Sequence, residues 1–455
     1  MTEQTEQTEQ TEPAAGPEEP EEQPPAPATP HTAASAVRPA TPGTASGTGT
    51  APGITAGIGI APGTRTAAAG TRASSAAGTR TGSAPGTGTD TAPARSAGTA
   101  APGRAAPGAA TSTGKGTSTG TATPVTPARA RPLGEVRWWP RSFADRLTAP
   151  LPGVRAFARL AREGAIRPGT DGLRGIPQLP YAPGSPPRVD VDTVAVTWAG
   201  HASWVIRIGG LTVLTDPVWS RKILGTPARI TPVGVRWEDL PPVDAVVISH
   251  NHFDHVDAPT LRRLPHTTPL FVPAGLARWF RRRRFTTVTE LDWWEAAELG
   301  GPGGGVRFDF VPAHHWSKRT LLDTCRSLWG GWVLRDRNGQ RVYFAGDTGY
   351  GHWFHEIGRR HPGIDLALLP IGAYAPRWWL RDVHADPEEA VQACQDLGAR
   401  RMAPMHWATF VLSAEPVLEP LTRVRAAWEK AGRPREELWD LPVGASRVLP
   451  PGARP

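Results

Sequence analysis

The sequence is poor in three things, and each shortage excludes something. It has two cysteines, Cys325 and Cys394, in 455 residues. That is too few for a disulfide framework, so a reducing compartment is the simpler expectation. No apolar run approaches the ~20 residues needed to span a bilayer as a helix, and the first residues are acidic where a secretory signal is basic and then apolar. A cytoplasmic protein with peripheral contact at the inner membrane surface is expected. The third shortage is local: residues 1–131 hold no Trp, Tyr, Phe or Cys. A stretch of Thr, Ala, Gly, Pro and Ser has almost nothing to bury against its ordering entropy, and it reads as a disordered tail. It opens with a repeated Thr-Glu-Gln, passes an acidic cluster at Glu18, Glu19, Glu21 and Glu22, and turns weakly basic through scattered arginines such as Arg65, Arg72 and Arg80. This composition suits a solvated tail better than a partner-binding arm. No Met lies between Met1 and Met402, so a translation start downstream at a non-Met codon also fits.

All 18 tryptophans lie from Trp138 onward. Residues 132–190, rich in Pro and Gly with one helical pattern at 154–161, read as a lead-in that wraps the fold, and residues 191–455 as one large domain. The formal charge of +8 suggests anionic partners, although much of the excess is dispersed arginine. A denser feature is the run of four arginines at 281–284 after Trp279 and Phe280, either a solvated helix end or a contact for phosphate groups.

The richest stretch is 249–257, Ser-His-Asn-His-Phe-Asp-His-Val-Asp. His250, His252, Asp254 and His255 are four metal-competent side chains in six residues, directly after an apolar, β-branched run at 243–248 that reads as a buried strand. Asp257 reads as a helix N-cap, and Pro259 sits where a missing N–H costs nothing. Histidine and carboxylate without nearby cysteine suit a borderline divalent ion such as zinc.

The same device recurs along the chain. Strands are expected at 194–198 and 204–208, then at 211–215 after a Gly209-Gly210 hairpin, the last ending at Asp216. Further strands at 306–311, 342–345 and 401–405 lead to His314-His315, Asp347 and His406, and one at 366–369 carries no ligand. A helix at 387–397 has Glu388 and Glu389 in its first turn, where its dipole favours them. In α/β folds, sites collect along one edge formed by strand ends, so residues distant in sequence can meet there. The candidates sum to His250, His252 and His315 for one ion, Asp254, His255 and His406 for a second, and Asp347 between them. His314 competes with His315, since neighbours on an extended segment face opposite ways. His201 reads first as a structural histidine, with a place near the metals as the alternative, and Asp216 as a carboxylate that orients a ligand histidine. Two ions a few ångströms apart can acidify one water and polarise the oxygen that gains charge, which favours hydrolysis, with Asp254 and Asp347 as the catalytic carboxylates.

These residues carry a resemblance. His250-x-His252-x-Asp254-His255, with the later His, Asp and His, resembles the metallo-β-lactamase superfamily. More narrowly, residues from about 190 to 450 resemble the N-acylphosphatidylethanolamine-hydrolysing phospholipase D family, through Gly200-His201-Ala202, Leu240-Pro241-Pro242, Asp292-Trp293-Trp294-Glu295, His315-Trp316 with Lys318-Arg319-Thr320, Gly346-Asp347-Thr348-Gly349-Tyr350, Asp386-Pro387-Glu388-Glu389 and His406-Trp407. The resemblance implies an αββα sandwich of the α/β class and two Zn2+ held by the seven ligands. It also implies hydrolysis of a phospholipid head-group phosphodiester to phosphatidic acid and an N-acylethanolamine, with substrate contacts at Phe253 and His384. Phe253 departs from the Tyr of the best-known members, and Ala375 and Val383 replace polar residues, which bears on substrate rather than on metal chemistry. The alternative is a soluble hydrolase of the same fold acting on a lactone, ester or nucleotide phosphodiester. A non-catalytic nucleic-acid or membrane-binding protein is disfavoured by the complete ligand set. Expected partners are the phospholipid or other phosphodiester substrate, a membrane surface and a second copy in a homodimer, with no specific nucleic acid.

Removing residues 1–130 is expected to leave the melting temperature and the activity on a soluble substrate unchanged. A large fall in melting temperature on truncation would show that the tail docks on the fold.

Overall fold

In the computed structural model the described residues are 128–165 and 179–450. A two-residue strand, β1 (Ala130–Arg131), and a helix, α1 (Val154–Arg162), precede two sheets formed in turn. The first sheet comprises β2 (Ala195–Gly200), β3 (Ser203–Ile208), β4 (Leu211–Thr215), β5 (Ala245–Val247), β6 (Leu270–Pro273) and β7 (Val288–Leu291), with helices α2 (Ala258–Leu261) and α3 (Ala277–Arg281) between strands. The second comprises β8 (Ala296–Leu299), β9 (Val306–Val311), β10 (Gly331–Asp336), β11 (Arg341–Phe344), β12 (Leu366–Pro370) and β13 (Met402–Met405). Helices α4 (Trp353–Arg360), α5 (Arg377–Leu380) and α6 (Pro387–Asp396) are interleaved with the later strands, and α7 (Glu419–Lys430) follows them. A final strand, β14 (Ser446–Val448), returns to pair with β2, while β1 closes the second sheet against β8.

Both sheets are mixed. In each, a run of antiparallel pairs is followed by parallel ones, β4 to β7 in the first and β11 to β13 in the second. The parallel strands β5, β6, β12 and β13 are buried along their whole length, as expected of strands covered on both faces. Between the sheets, Phe271 of β6 stacks on Phe308 of β9 with ring centroids 4.2 Å apart, and Phe310 lies 4.7 Å from Trp332. Outside the first sheet, Leu261 of α2 and Phe280 of α3 pack on Val246 and Val272. Outside the second, Phe354, Val391 and Val424 of α4, α6 and α7 join the main core. This is the αββα sandwich expected from the sequence.

The local signals explain the elements that frame the site. Gly209 and Gly210 take φ of 57° and 78° at the β3–β4 hairpin, a region closed to most side chains. Asp257 caps α2 and accepts from Thr260 N, with a proline in the first turn. Asp386 and Glu389 form a reciprocal capping box on α6, which satisfies two otherwise orphaned donors. The boundary of the tail needs one correction. Residues 128–131 belong with the fold, because Ala130 pairs with Ala296, the Arg131 guanidinium binds Glu295 and Ala128 O accepts from Arg307. The rest of the segment expected to be disordered lies outside the described residues.

Trp332 ties the sandwich to the site, since it is fully buried and its Nε1 donates to Ile248 O at 2.9 Å, immediately before the histidine-rich loop. Replacing it with Phe leaves that carbonyl unpaired and a partial cavity. Trp332→Phe is expected to cost about 1–3 kcal/mol in chemical denaturation.

Candidate metal centre

Five strands of the two sheets end at one edge, and each delivers a polar group there. β4 runs into Asp216, β5 into the loop 249–257, β9 into His314 and His315, β11 into Asp347, and β13 into His406. Close approach of two of these ends depends on Gly346: a Cβ there would lie 2.4 Å from that of Ser249. His201, Asp216 and His406 take positive φ of 56°, 32° and 62°. Non-glycine residues rarely do so, at a cost of order 1–3 kcal/mol each, and such positions concentrate at functional sites.

Two groups of side chains result. In the first, His250 Nε2 is 2.8 Å from His252 Nδ1, which is 3.3 Å from His315 Nε2, and Asp347 Oδ2 stands 3.9 Å from both His250 and His315. In the second, His255 Nε2 is 3.4 Å from Asp254 Oδ2 and 3.2 Å from Asp347 Oδ2. His406 Nε2 is 3.6 Å from Asp254 Oδ2 and 3.0 Å from Asp347 Oδ1. Asp347 therefore faces both groups, one oxygen reaching across to the second. The seven candidate ligands are brought together in this arrangement.

Behind them sits Asp216, fully buried. Its Oδ1 accepts from Ser249 N at 2.8 Å, and its Oδ2 lies 2.7 Å from His255 Nδ1. Ser249 Oγ bridges Asp216 to His250 Nδ1. One carboxylate thus orients a histidine of each group, leaving Nε2 of both facing inward.

The donor set fits divalent metal. His255 Nε2, His406 Nε2 and Asp347 Oδ1 are buried and have no hydrogen-bond partner, although such atoms are normally satisfied. Their mutual approach is what a shared cation satisfies. Charge balance agrees with this. Burial holds the imidazoles of His250 and His315 well below the usual range and that of His252 down to about 4, so these three imidazoles are neutral and ready to ligate. Burial also opposes ionisation of Asp254 and Asp347, yet the neighbouring histidines, His255 first, hold both carboxyls well below their ordinary value. His255 and His406 lose charge to burial but gain more from Asp347 and Asp254; the first is raised well above the usual range, the second to about 9.

Adjacent histidines 314 and 315 separate as alternation requires. His315 joins the first group, whereas His314 Nδ1 meets Thr148 Oγ1 at 2.9 Å and its ring packs by His352. For His201 the geometry favours the second of its two readings. Its Nε2 stands 3.0 Å from Asp254 Oδ2 and its ring centroid 4.0 Å from that of His406, so it belongs to the site rather than to remote packing. Burial holds it neutral at about 3. The available signal was its place just after β2, the strand paired with β3.

A cavity of about 350 Å³ opens beside the first group. His252, His315 and His384 form its polar side, with Lys318 at its margin. Its apolar wall includes Leu147, Leu151 and Phe157 of the lead-in and Trp379 of α5. His384 Nδ1 has no partner, and burial holds this imidazole at about 4. Phe253 is placed differently from His384. It does not line the cavity; its ring lies under the Arg319 guanidinium, 4.1 Å from ring centroid to Cζ.

A model of the β-lactamase superfamily domain matches residues 212–407. An uncharacterised protein of Mycobacterium tuberculosis is 39% identical over 307 residues, covering 64% of this chain and 77% of that protein. The N-acyl-phosphatidylethanolamine-hydrolyzing phospholipase D 1 of Caenorhabditis elegans is 37% identical over 258 residues, covering 54% of this chain and 71% of that enzyme. Among solved structures, a metallo hydrolase of the archaeon Ignicoccus hospitalis covers 57% of this chain and 100% of its own, with 24% identity and a TM-score of 0.44.

Metal analysis separates the two adjacent histidines. His315→Ala and Asp347→Ala are each expected to lower the divalent metal content of purified protein, and His314→Ala to leave it at the parental level.

Proposed function

For a chain that belongs to the metallo-β-lactamase superfamily, in the branch that includes the N-acylphosphatidylethanolamine-hydrolysing phospholipases D, we propose a two-zinc phosphodiesterase that cleaves N-acylphosphatidylethanolamine-like lipids. The observation that carries this reading is the cavity's division into an imidazole side at the metal centre and an apolar wall built by the lead-in and α5. A substrate with a phosphodiester and long acyl chains matches both halves; a small polar ester uses only one. The relative from Caenorhabditis elegans supports the same choice.

The two ions, when bound, supply Lewis-acid polarisation of a phosphoryl oxygen and a water acidic enough to attack near neutral pH. The chain's own residues do the rest. Asp216 and Ser249 fix the ring orientation of His255 and His250, so the inward-facing nitrogens need no rearrangement. The apolar wall excludes bulk water from one side of the phosphodiester. His384, neutral and with Nδ1 unpaired on the cavity wall, is the group placed to take a proton from the attacking water and pass it to the departing ethanolamine oxygen. The bond between phosphorus and that oxygen breaks, and the water's oxygen remains on phosphorus. The products are phosphatidic acid and an N-acylethanolamine.

Purified protein on N-acylphosphatidylethanolamine vesicles is expected to release phosphatidic acid. His384→Ala is expected to lower turnover by roughly 10²-fold, the usual worth of a positioned acid or base, with metal content unchanged. Phe253→Tyr is expected to keep both metal and activity, since its ring lies outside the cavity. Turnover of a lactone or a soluble phosphodiester with no cleavage of the lipid would overturn the lipid reading in favour of a soluble hydrolase.

A further inference from the structure

Leu321 and Leu322 are 90% and 79% exposed, adjacent to one another, at the tip of a loop between β9 and β10. Single exposed leucines are ordinary, but two at the tip of an ordered turn are not. The turn is ordered by Asp323, whose Oδ1 accepts from Arg319 N at 2.8 Å and from Thr320 N at 2.6 Å. The leucines are therefore held outward by the backbone that precedes them rather than left without a place to pack.

Two features flank this turn. On one side lies the cavity, because Lys318 and Thr324, on either side of the leucines in sequence, both line it. Across the same cavity is α1, where Phe157 lines the wall yet remains 54% exposed and Val154, one turn earlier, is 85% exposed. On the other side lie arginines in excess. Arg283 stacks on Trp279 at 3.5 Å, and Arg319 lies 5.2 Å from the same ring. Burial first, then Arg262 and Arg282, depress the Arg283 guanidinium, and Arg283 in turn acts on Arg319, so these cations are near neighbours. Among the described residues none of Arg262, Arg282 and Arg283 has a carboxylate in ion-pair contact, whereas Arg263 pairs with Glu238 and Arg281 reaches Glu290. Unpaired cations beside an outward apolar tip complement a surface that is anionic at its head groups and apolar beneath.

We propose that the turn carrying Leu321 and Leu322 inserts into the acyl boundary of an anionic phospholipid bilayer, with Arg262, Arg282 and Arg283 on its phosphates and the cavity, with Phe157 on its wall, opening toward the membrane. This rests on the lipid reading of the cavity and adds the surface through which the protein meets its substrate. Apolar burial and electrostatic attraction act together in such docking, and neither is strong alone.

The test uses the full chain and sedimentation with vesicles of phosphatidylcholine, with or without phosphatidylglycerol, containing no N-acylated lipid. Binding is expected only with phosphatidylglycerol present and is expected to weaken with salt. The double substitution Leu321→Ser with Leu322→Ser is expected to lower partitioning by at least about tenfold, and Arg262→Glu with Arg282→Glu to abolish the preference for anionic vesicles. Both variants are expected to keep the parental melting temperature and parental hydrolysis of a water-soluble short-chain phosphodiester. Parental partitioning after the leucine substitutions would overturn the proposal. So would a protein that ignores vesicles but is retained on heparin, since the arginines would then serve a nucleic acid or other polyanion. Because the vesicles hold no substrate, the result stands whether or not lipid hydrolysis is found.

Discussion

The rest of the molecule depends on the burial of Asp347 between two sets of imidazoles. Its carboxylate is almost wholly inaccessible, faces histidines at 3.0, 3.2 and 3.9 Å, and keeps one oxygen without a hydrogen bond. A buried charge in that state costs several kcal/mol unless it is compensated. Compensation by one protonated histidine would serve half the cluster and leave the other imidazoles crowded nitrogen to nitrogen. Divalent cations relieve both problems. The architecture then follows from the need to bring seven donors to one edge without a flexible linker, which parallel strands ending side by side accomplish.

How rigidly the edge is held shows in the supporting contacts. Ser249 touches Asp216 and His250 through its side chain, accepts a backbone bond from Gly330 and leaves no room for a Cβ at residue 346. It therefore joins the ends of β4, β5 and β11 and the start of β10 at one point. Trp332 adds a tie from β10 to Ile248. These contacts cross between the two sheets, so the metal edge and the core between the sheets form a single packing unit. The lead-in belongs to that unit too: Phe143 is buried in the core and its N–H donates to Cys325 O.

The candidate ligands were legible in the sequence because a set of side chains suited to metal leaves a dense mark there. Strand patterns followed at once by His or Asp are visible without any knowledge of pairing, and residues 306–311, 211–215 and 387–396 form the elements their patterns suggest. What escaped depends on contacts between distant segments. His201 carries no spacing signal, and the bonds from His406 N to His201 O and from His201 N to Thr409 Oγ1 bring it beside Asp254. β10 and β8 bear no ligand and attract no notice, though β10 is central to its sheet. The apolar wall of the cavity comes from residues 147–157 of a Pro-rich lead-in, whose pattern gives no hint of where it packs.

Phe253 shows where local reasoning runs out. Within the loop, His250, His252, Asp254 and His255 turn toward the candidate metal centre, and the side chains between them have to point elsewhere. Asn251 is buried away from the cavity lining, and Phe253 lies beneath Arg319, whose guanidinium also donates to the carbonyls of Asn251 and His252 at 3.1 and 3.2 Å. The identity of residue 253 therefore bears on what Arg319 rests on, not on what the cavity offers. Metal chemistry and substrate choice are in this way carried by different parts of the chain. The candidate ligands come from strand ends locked into the core, while the cavity's apolar wall comes from the lead-in and the short helix α5. Substitutions in that wall, including Val383, whose carbonyl accepts from His315 Nδ1 at 3.0 Å, change the shape of the cavity while the candidate ligand set stays intact.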